Sequence, residues 1–370
     1  MNFDLTDDQR ALVDTVERFA ASAGARRPDS VSVEAAAATI AHWRQMAELG
    51  LGGLLIAEED GGVGMTMADT VLVCEALGQS LAQAPFITAA VVAPKLMEMC
   101  ISEEVRTTQL AAIGEGSARI AIACEEGVLE FDPANPSAYV EQRGDALRLS
   151  GTKHLVVDGT AATHFVVTAR HCERGANAFL VASDQPGVTI TPVRRLESGW
   201  LARVVFDGVE VDAPLFDSAT AMANVERALD HGTVALCAEA LGLMNRMLTL
   251  TASYLQTRQQ FGKPIGSFQA LQHRFADMVV AAEQSRSATF MAAAALTDED
   301  AQVRKLDVSA AKSMVCRHGR AVLEGAVQLH GGIGITDEYE LSRYVRRMLE
   351  IEKTWGDATD HEGRFAKLTD

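Results

Sequence analysis

The stretch "YLQTRQQFGKPIGSFQALQHRFADM" (residues 254–278) closes one helical pattern and opens another. Arg258 stands at the end of the first, Phe261 and Gly262 turn the chain, and Gln269 stands near the start of the second. Helices joined by so short a connection pack as antiparallel neighbours, so this region reads as part of a bundle. A guanidinium, an exposed aromatic ring and a free helix N-terminus together can receive a pyrophosphate and an adenine. The same residues can also form nothing more than a tight turn with a capping arginine.

Further along, "AVLEGAVQLHGGIGIT" (321–336) begins as an apolar helix and breaks into Gly331, Gly332 and Gly334. Glycine adopts positive φ and lets another molecule approach the main chain, as in phosphate cradles. A helix C-cap followed by a turn has the same composition. The run is not a dinucleotide fingerprint, because it lacks the third glycine and follows a helix instead of a strand. A similar "GGVGMT" at 61–66 is equally weak alone.

Working outward, the apolar period predicts four long helices at about 219–258, 267–296, 301–329 and 338–354, a C-terminal four-helix bundle spanning 218–370. Met244, Met247, Met278, Met291 and Met314 read as core fillers within it. Residues 118–217 change texture to short β-branched runs such as "RIAIAC", "ALRLSGTKHLVV", "HFVVTAR" and "LARVVFDGVEV". They recur without intervening helices, which favours an antiparallel β-barrel or sandwich over a parallel sheet. Residues 1–117 read as an N-terminal helical domain, with Leu12, Val13, Val16 and Phe19 at helical spacing and Asp7 and Asp8 in the first turn. The expected fold is therefore an α+β multidomain chain: helical domain, β-domain, helix bundle.

Composition narrows the function. With 370 residues and 48% hydrophobic content the chain can fill more than one core. Its formal charge of −17 and absence of Lys/Arg clusters argue against a nucleic-acid partner. Neither a secretory leader nor a membrane span is expected, so a cytoplasmic location follows. The six cysteines, Cys74, Cys100, Cys124, Cys172, Cys237 and Cys316, have no metal-site spacing and read as reduced thiols.

The order helical domain, β-domain and bundle, with R-x-x-F-G-x-x-x-x-x-x-Q at Arg258 and Q-x-H-G-G-x-G at Gln328, closely resembles the acyl-CoA dehydrogenase family. "FDLTDDQRALVDTVERFA", "LGLGGLLIAEEDGGVGMTMADTVLVCEALGQSLAQAP", "LSGTKHLVVDG" and "HGGIGITDEYELSRYVRR" fall in the family's order, so the resemblance spans nearly the whole chain. It implies FAD bound between the subunits of a dimer within a tetramer. One subunit's β-domain holds the isoalloxazine. The neighbour grips the diphosphate and adenine, here through Arg258, Phe261, Gln269, Gln328, Leu329, Gly331 and Gly332. An acyl-CoA thioester substrate and an electron-transfer acceptor are implied with it. The glycines at 61–64 would be a turn between helices.

The sequence also departs from the family. Where T-E-P-x-x-G-S-D should hold the flavin ring stands "ACEEGVLEFDP", with Cys124, Glu125 and Glu126. In "GTKHLVV" the aromatic and hydroxyl positions are Leu155 and Val157. The base position counted from Arg346 holds Trp355, and the alternative base position on the first bundle helix holds Gly232; Asp230 and Glu239 lie nearby out of register. No catalytic residue is therefore expected in this chain. The pattern resembles the non-catalytic subunits of bacterial heterotetrameric, steroid-type acyl-CoA dehydrogenases, in which a homologous partner supplies base and ring site. An active homo-oligomer with a displaced base such as Asp230, and a flavin-free interaction protein, are the alternatives.

Overall fold

The computed structural model describes residues 5–24, 33–127, 131–144, 146–171, 175–197, 200–298 and 300–369. Cys172 and positions 128–130 of the "ACEEGVLEFDP" stretch lie outside the described residues. In chain order come α1 (Asp7–Gly24), α2 (Val33–Glu48), α3 (Met67–Ser80), α4 (Ala93–Glu98) and α5 (Glu103–Gly114). Seven strands follow: β1 (Ile120–Ala123), β2 (Tyr139–Arg143), β3 (Ala146–Val157), β4 (His164–His171), β5 (Gly175–Ala182), β6 (Val188–Arg194) and β7 (Trp200–Val211). The chain then returns to helix with α6 (Ala221–Thr257), the short strands β8 (Gln259–Gln260) and β9 (Lys263–Pro264), α7 (Gln269–Ala295), α8 (Ala301–His330), α9 (Leu341–Lys353) and α10 (Ala358–Thr369).

Packing sorts these elements into two compact units. The first gathers Met1–Arg27, Met67–Ala82 and Thr233–Asp370, hence α1, α3 and most of the C-terminal helices. Its N-terminus is fixed by a capping box: Gln9 N–H donates to Thr6 Oγ1 at 3.2 Å and Thr6 N–H to Gln9 Oε1 at 3.1 Å. Helix α3 is apolar nearly all round and buries ten of its fourteen residues, the mark of a helix wrapped by others. It crosses α6 through two glycines. A methyl on Gly78 would strike the Glu239 carbonyl, and one on Gly242 the Glu75 carbonyl. The crossing is secured by Glu75, whose carboxylate accepts from Arg286 (2.7 Å twice) and Asn245 (2.7 Å). Met244, Met247 and Met278 fill this core as expected, whereas Met291 (63% exposed) and Met314 lie on the surface. Methionine was placed there by helical period alone, and α7 has apolar residues on its outward side as well, among them Val279 and Val280.

The second unit holds Pro28–Thr66 and Gln83–Gly232. Its sheet runs β1-β4-β2-β3-β7-β6, with β5 paired to β4. The long pairs β3/β7, β6/β7 and β4/β5 are antiparallel, as the closely spaced strand runs imply. Two short parallel pairings make the sheet mixed: β1 lies along His164–Val167 and β2 along Arg170–His171 of the same β4 edge. Strand β2 leaves little sequence trace because only Val140 of "YVEQR" is buried. Phe165, Phe179 and Phe206 fill the sheet's inner face, with Phe165 and Phe206 edge to face at 6.1 Å. The 61–66 glycines form a turn, held by Val63 N–H on the Gly53 carbonyl and Gly64 N–H on the Ile56 carbonyl.

Among the described residues one helix, α6, is long and apolar enough to cross a membrane, and 67% of its most apolar window is buried in the fold. That is the pattern of a bundle's core helix.

Candidate functional site

The R-x-x-F-G stretch is a β-hairpin. Gln259 pairs with Pro264 and Gln260 with Lys263, leaving Phe261 and Gly262 as a two-residue turn with φ of 55° and 80°. Two successive positive φ values define a type I′ turn, where asparagine and glycine are the comfortable residues. Phenylalanine there is strained by about 1 kcal/mol or more. Burial does not offset the strain, because Phe261 is 90% exposed, with Phe268 edge to face at 6.0 Å. Arg258, also exposed, is fixed through its backbone: its N–H donates to the Tyr254 carbonyl and its carbonyl accepts from Ile265 N–H, each at 2.8 Å. Gln269 opens α7, whose N-cap position, Phe268, offers no side-chain cap. The first N–H groups of α7 therefore carry the positive end of the helix dipole unmasked.

The second stretch ends α8. Gln328 is exposed, Leu329 buried, and Gly331 reverses the chain at φ 66°, ψ −146°, its N–H capping the Val327 carbonyl. The C-cap reading is thus correct for Gly331. Gly332 is different: its φ is not positive, and a Cβ there would meet nothing within 4 Å. No contact among the described residues requires a glycine there. Open backbone beside the exposed Gln328 fits a molecule from outside lying against the main chain. The two stretches meet through His330, whose ring stacks on Tyr254 at 4.5 Å, one helical turn before Arg258. Sequence reasoning passed over His330, Tyr254 and Tyr339; their signal was the lone histidine between a buried leucine and the glycines.

The ring-side residues are arranged otherwise. Glu126 turns inward: its carboxylate accepts from Ser137 N–H, from Ala138 N–H at 2.9 Å and from Lys153 Nζ at 2.6 Å. Lys153, fully buried, also donates to Thr168 Oγ1 at 3.0 Å. Burial opposes the Glu126 charge, but the ammonium and the two amides hold its pKa below the usual range. Cys124 is a buried thiol whose pKa burial raises. Leu155 sits in the β3/β7 bulge at φ 51°, a strained backbone under a side chain with no polar atom and no π-face.

At the base position Trp355 is 2% exposed, with φ 55°, followed by Gly356 at φ 92°. The turn is clamped twice. The buried Lys312 ammonium donates to the Ile351 carbonyl at 2.6 Å and the Thr354 carbonyl at 3.0 Å, and His361 Nε2 donates to the Trp355 carbonyl at 3.1 Å. Glu239 is committed to Arg347 by two bonds of 2.6 and 2.7 Å, a structural pair. Asp230 lies within α6 and is 3% exposed.

Sequence profiles for the N-terminal, middle and C-terminal domains of acyl-CoA dehydrogenases match residues 6–117, 121–209 and 222–356. The acyl-CoA dehydrogenase IpdE2 of Mycobacterium tuberculosis is 32% identical over 306 residues, 82% of this chain and 79% of the relative. Among solved structures, the Tcur3481-Tcur3483 steroid ACAD superposes with a TM-score of 0.85 at 28% identity, covering 98% of each chain. The ChsE4-ChsE5 complex from Mycobacterium tuberculosis gives 0.87 at 26% identity, covering 99% of this chain and 98% of the other. Three consecutive domain profiles and a relative at this identity over most of both chains agree: the protein belongs to the acyl-CoA dehydrogenase family.

Proposed function

We propose that this chain is one subunit of an FAD-dependent α,β-dehydrogenase of acyl-CoA thioesters, supplying the adenine and pyrophosphate half of a flavin site while a homologous partner supplies the catalytic base. When bound, FAD accepts the β-hydrogen of the thioester as a hydride while a base takes the α-proton. On this chain Arg258 would pair with the diphosphate, Phe261 would cover the adenine end, Gln269 and Gln328 would hydrogen-bond the cofactor, and Leu329, Gly331 and Gly332 would line its path. The carrying observation is an asymmetry: a strained, exposed Phe261 and a Gly332 that no contact among the described residues requires, against a base position filled by buried Trp355. An indole N–H only donates, so Trp355 cannot take a proton. The ring side does not fit a flavin either, since Glu126 is spent on Lys153 and Leu155 offers no stacking face.

The steroid ACAD and ChsE4-ChsE5 structures are complexes of two differently named chains, which supports a hetero-oligomer. A steroid or other bulky acyl-CoA as substrate, an electron-transfer acceptor and a cytoplasmic location complete the proposal. The test is to express the chain alone and together with a homologous dehydrogenase whose Gly-Ser-Asp motif and base are intact, then count flavin per chain by absorbance. About one flavin per pair of unlike chains is expected, with little or none on the chain alone. Thioester dehydrogenation by the chain alone, abolished by Asp230→Asn, would establish the displaced-base reading instead. No flavin in either preparation would establish the interaction-protein reading.

A further inference from the structure

The two halves of the proposed grip are far apart in sequence and meet at one side chain, His330. His330 is buried at the end of α8, where Nδ1 lies 2.8 Å from the Ala326 carbonyl and Nε2 3.2 Å from the Tyr339 hydroxyl. A carbonyl only accepts, so Nδ1 carries the proton and Nε2 accepts from Tyr339. One ring face stacks on Tyr254 at 4.5 Å with the planes 28° apart, and Tyr339 leans against the ring at 5.2 Å. Tyr254 holds the Arg258 amide through its own carbonyl at 2.8 Å. Gly331 is joined to His330 by a peptide bond. The imidazole therefore touches the carrier of the arginine hairpin on one side and continues directly into the glycine backbone on the other.

We infer that His330 is a positioning residue that sets the Arg258 hairpin and the Gly331–Gly332 backbone at a fixed spacing, so that the two act on an adenine diphosphate as one cradle. The inference rests on the grip proposed above. It requires the neutral imidazole, and burial lowers the ring's pKa toward that state against the weaker upward pull of the Ala326 and Leu250 backbone. The protonated imidazolium would turn Nε2 into a donor and leave the Tyr339 hydroxyl without its acceptor. Leucine in place of His330 would keep apolar volume but lose the stack and both hydrogen bonds.

Titration with ADP, which carries the adenine and diphosphate without a flavin ring, of the full-length chain assembled with its partner and freed of flavin tests this directly by calorimetry. Wild type should bind, Arg258→Ala should bind about ten- to a hundredfold more weakly, and His330→Leu about tenfold more weakly. Tyr339→Phe, which removes one hydroxyl and leaves the packing, should lose a few fold with an unchanged unfolding midpoint. Because His330 acts through the placement of Arg258, the double variant Arg258→Ala/His330→Leu should be no weaker than Arg258→Ala alone. Wild-type affinity in His330→Leu and Tyr339→Phe, or fully additive losses in the double variant, would overturn the inference while leaving the grip itself standing. Equal affinity of wild type and Arg258→Ala would remove the grip and the inference together. If His330→Leu does not fold, Tyr339→Phe decides by the same criterion.

Discussion

His361 Nε2 donates to the carbonyl of Trp355 at 3.1 Å, while the other ring nitrogen, Nδ1, is buried with no hydrogen-bond partner among the described residues. The imidazole is neutral by construction. Burial, and after it the neighbouring Lys312 ammonium, push its pKa down to about 3, against the weaker upward pull of the Trp355 carbonyl. An unfolded histidine titrates near 6.5. Between those values the unfolded chain binds a proton that the folded chain refuses, so the contribution is fully present above about pH 6.5 and is lost as pH falls toward 3. The slope approaches roughly 1.4 kcal/mol per pH unit in that window. Urea unfolding at pH 7, 6, 5 and 4 should show this slope in the wild type and a flatter one in His361→Gln. Identical slopes would mean that the ring is accessible to protons in the fold.

The glycines separate packing from function. Gly242→Ala drives a methyl into the Glu75 carbonyl where α3 crosses α6, and overpacking against backbone costs about 1 to 3 kcal/mol. Gly332→Ala meets nothing within 4 Å. Its stability should change by no more than about 0.5 kcal/mol, yet flavin retention in the assembled complex should fall. Chemical denaturation and flavin absorbance on both variants check the pair; equal destabilisation would contradict it.

Phe261→Asn should behave in the opposite sense. Asparagine accepts the left-handed turn, so relief of strain should stabilise the chain by up to about 1 kcal/mol. Because the ring is 90% exposed, little packing is lost in return. Flavin should dissociate faster from a complex made with this variant. A variant less stable than wild type would show that the ring packs on its own chain in solution.

Trp355→Glu restores a carboxylate to the base position, on a turn already held at positive φ by Lys312 and His361. Turnover of acyl-CoA by the chain alone should nonetheless stay at background. Glu126 remains bonded to Lys153 and Leu155 still lacks a stacking face. Measurable dehydrogenation with a ferrocenium acceptor would show that the base is the one deficiency.

Much of the architecture could be read from periodicity. The helices predicted at 267–296 and 301–329 appear as Gln269–Ala295 and Ala301–His330, because long uninterrupted helical segments leave a strong trace, and the second is also capped by Asp300. Helix α10 did not, since "ATDHEGRFAKLT" buries only His361 and is held by polar ties such as Arg317 to Glu362 at 2.6 and 2.7 Å. Nor did the parallel pairings of β4, which depend on which edges meet and not on the composition of either strand. Periodicity reports what a segment is, not what it packs against, so the joining of α1 and α3 to the C-terminal helices was invisible. At the site, residue types carried the proposal of a grip, and the backbone angles of Phe261 and Trp355 had to come from the structure. The Lys312 and His361 clamp was illegible because it joins side chains from α8 and α10 to carbonyls that carry no sequence signal.

Helix α3 buries ten of its fourteen residues within a unit that, apart from Met1–Arg27, resumes only at Thr233. During synthesis about 150 residues must follow it before α6 can offer Gly242 to the Glu75 carbonyl. At roughly 5 to 20 residues per second, that leaves an apolar helix without its C-terminal partners for roughly 10 to 30 s. The intervening β-sheet is nearly contiguous in the chain and can close early, whereas α1 and α3 are the first elements made and among the last to be covered. The demand that this topology places on the cell is therefore kinetic, a long interval of exposed nascent chain in which a chaperone or a co-translated partner has time to act.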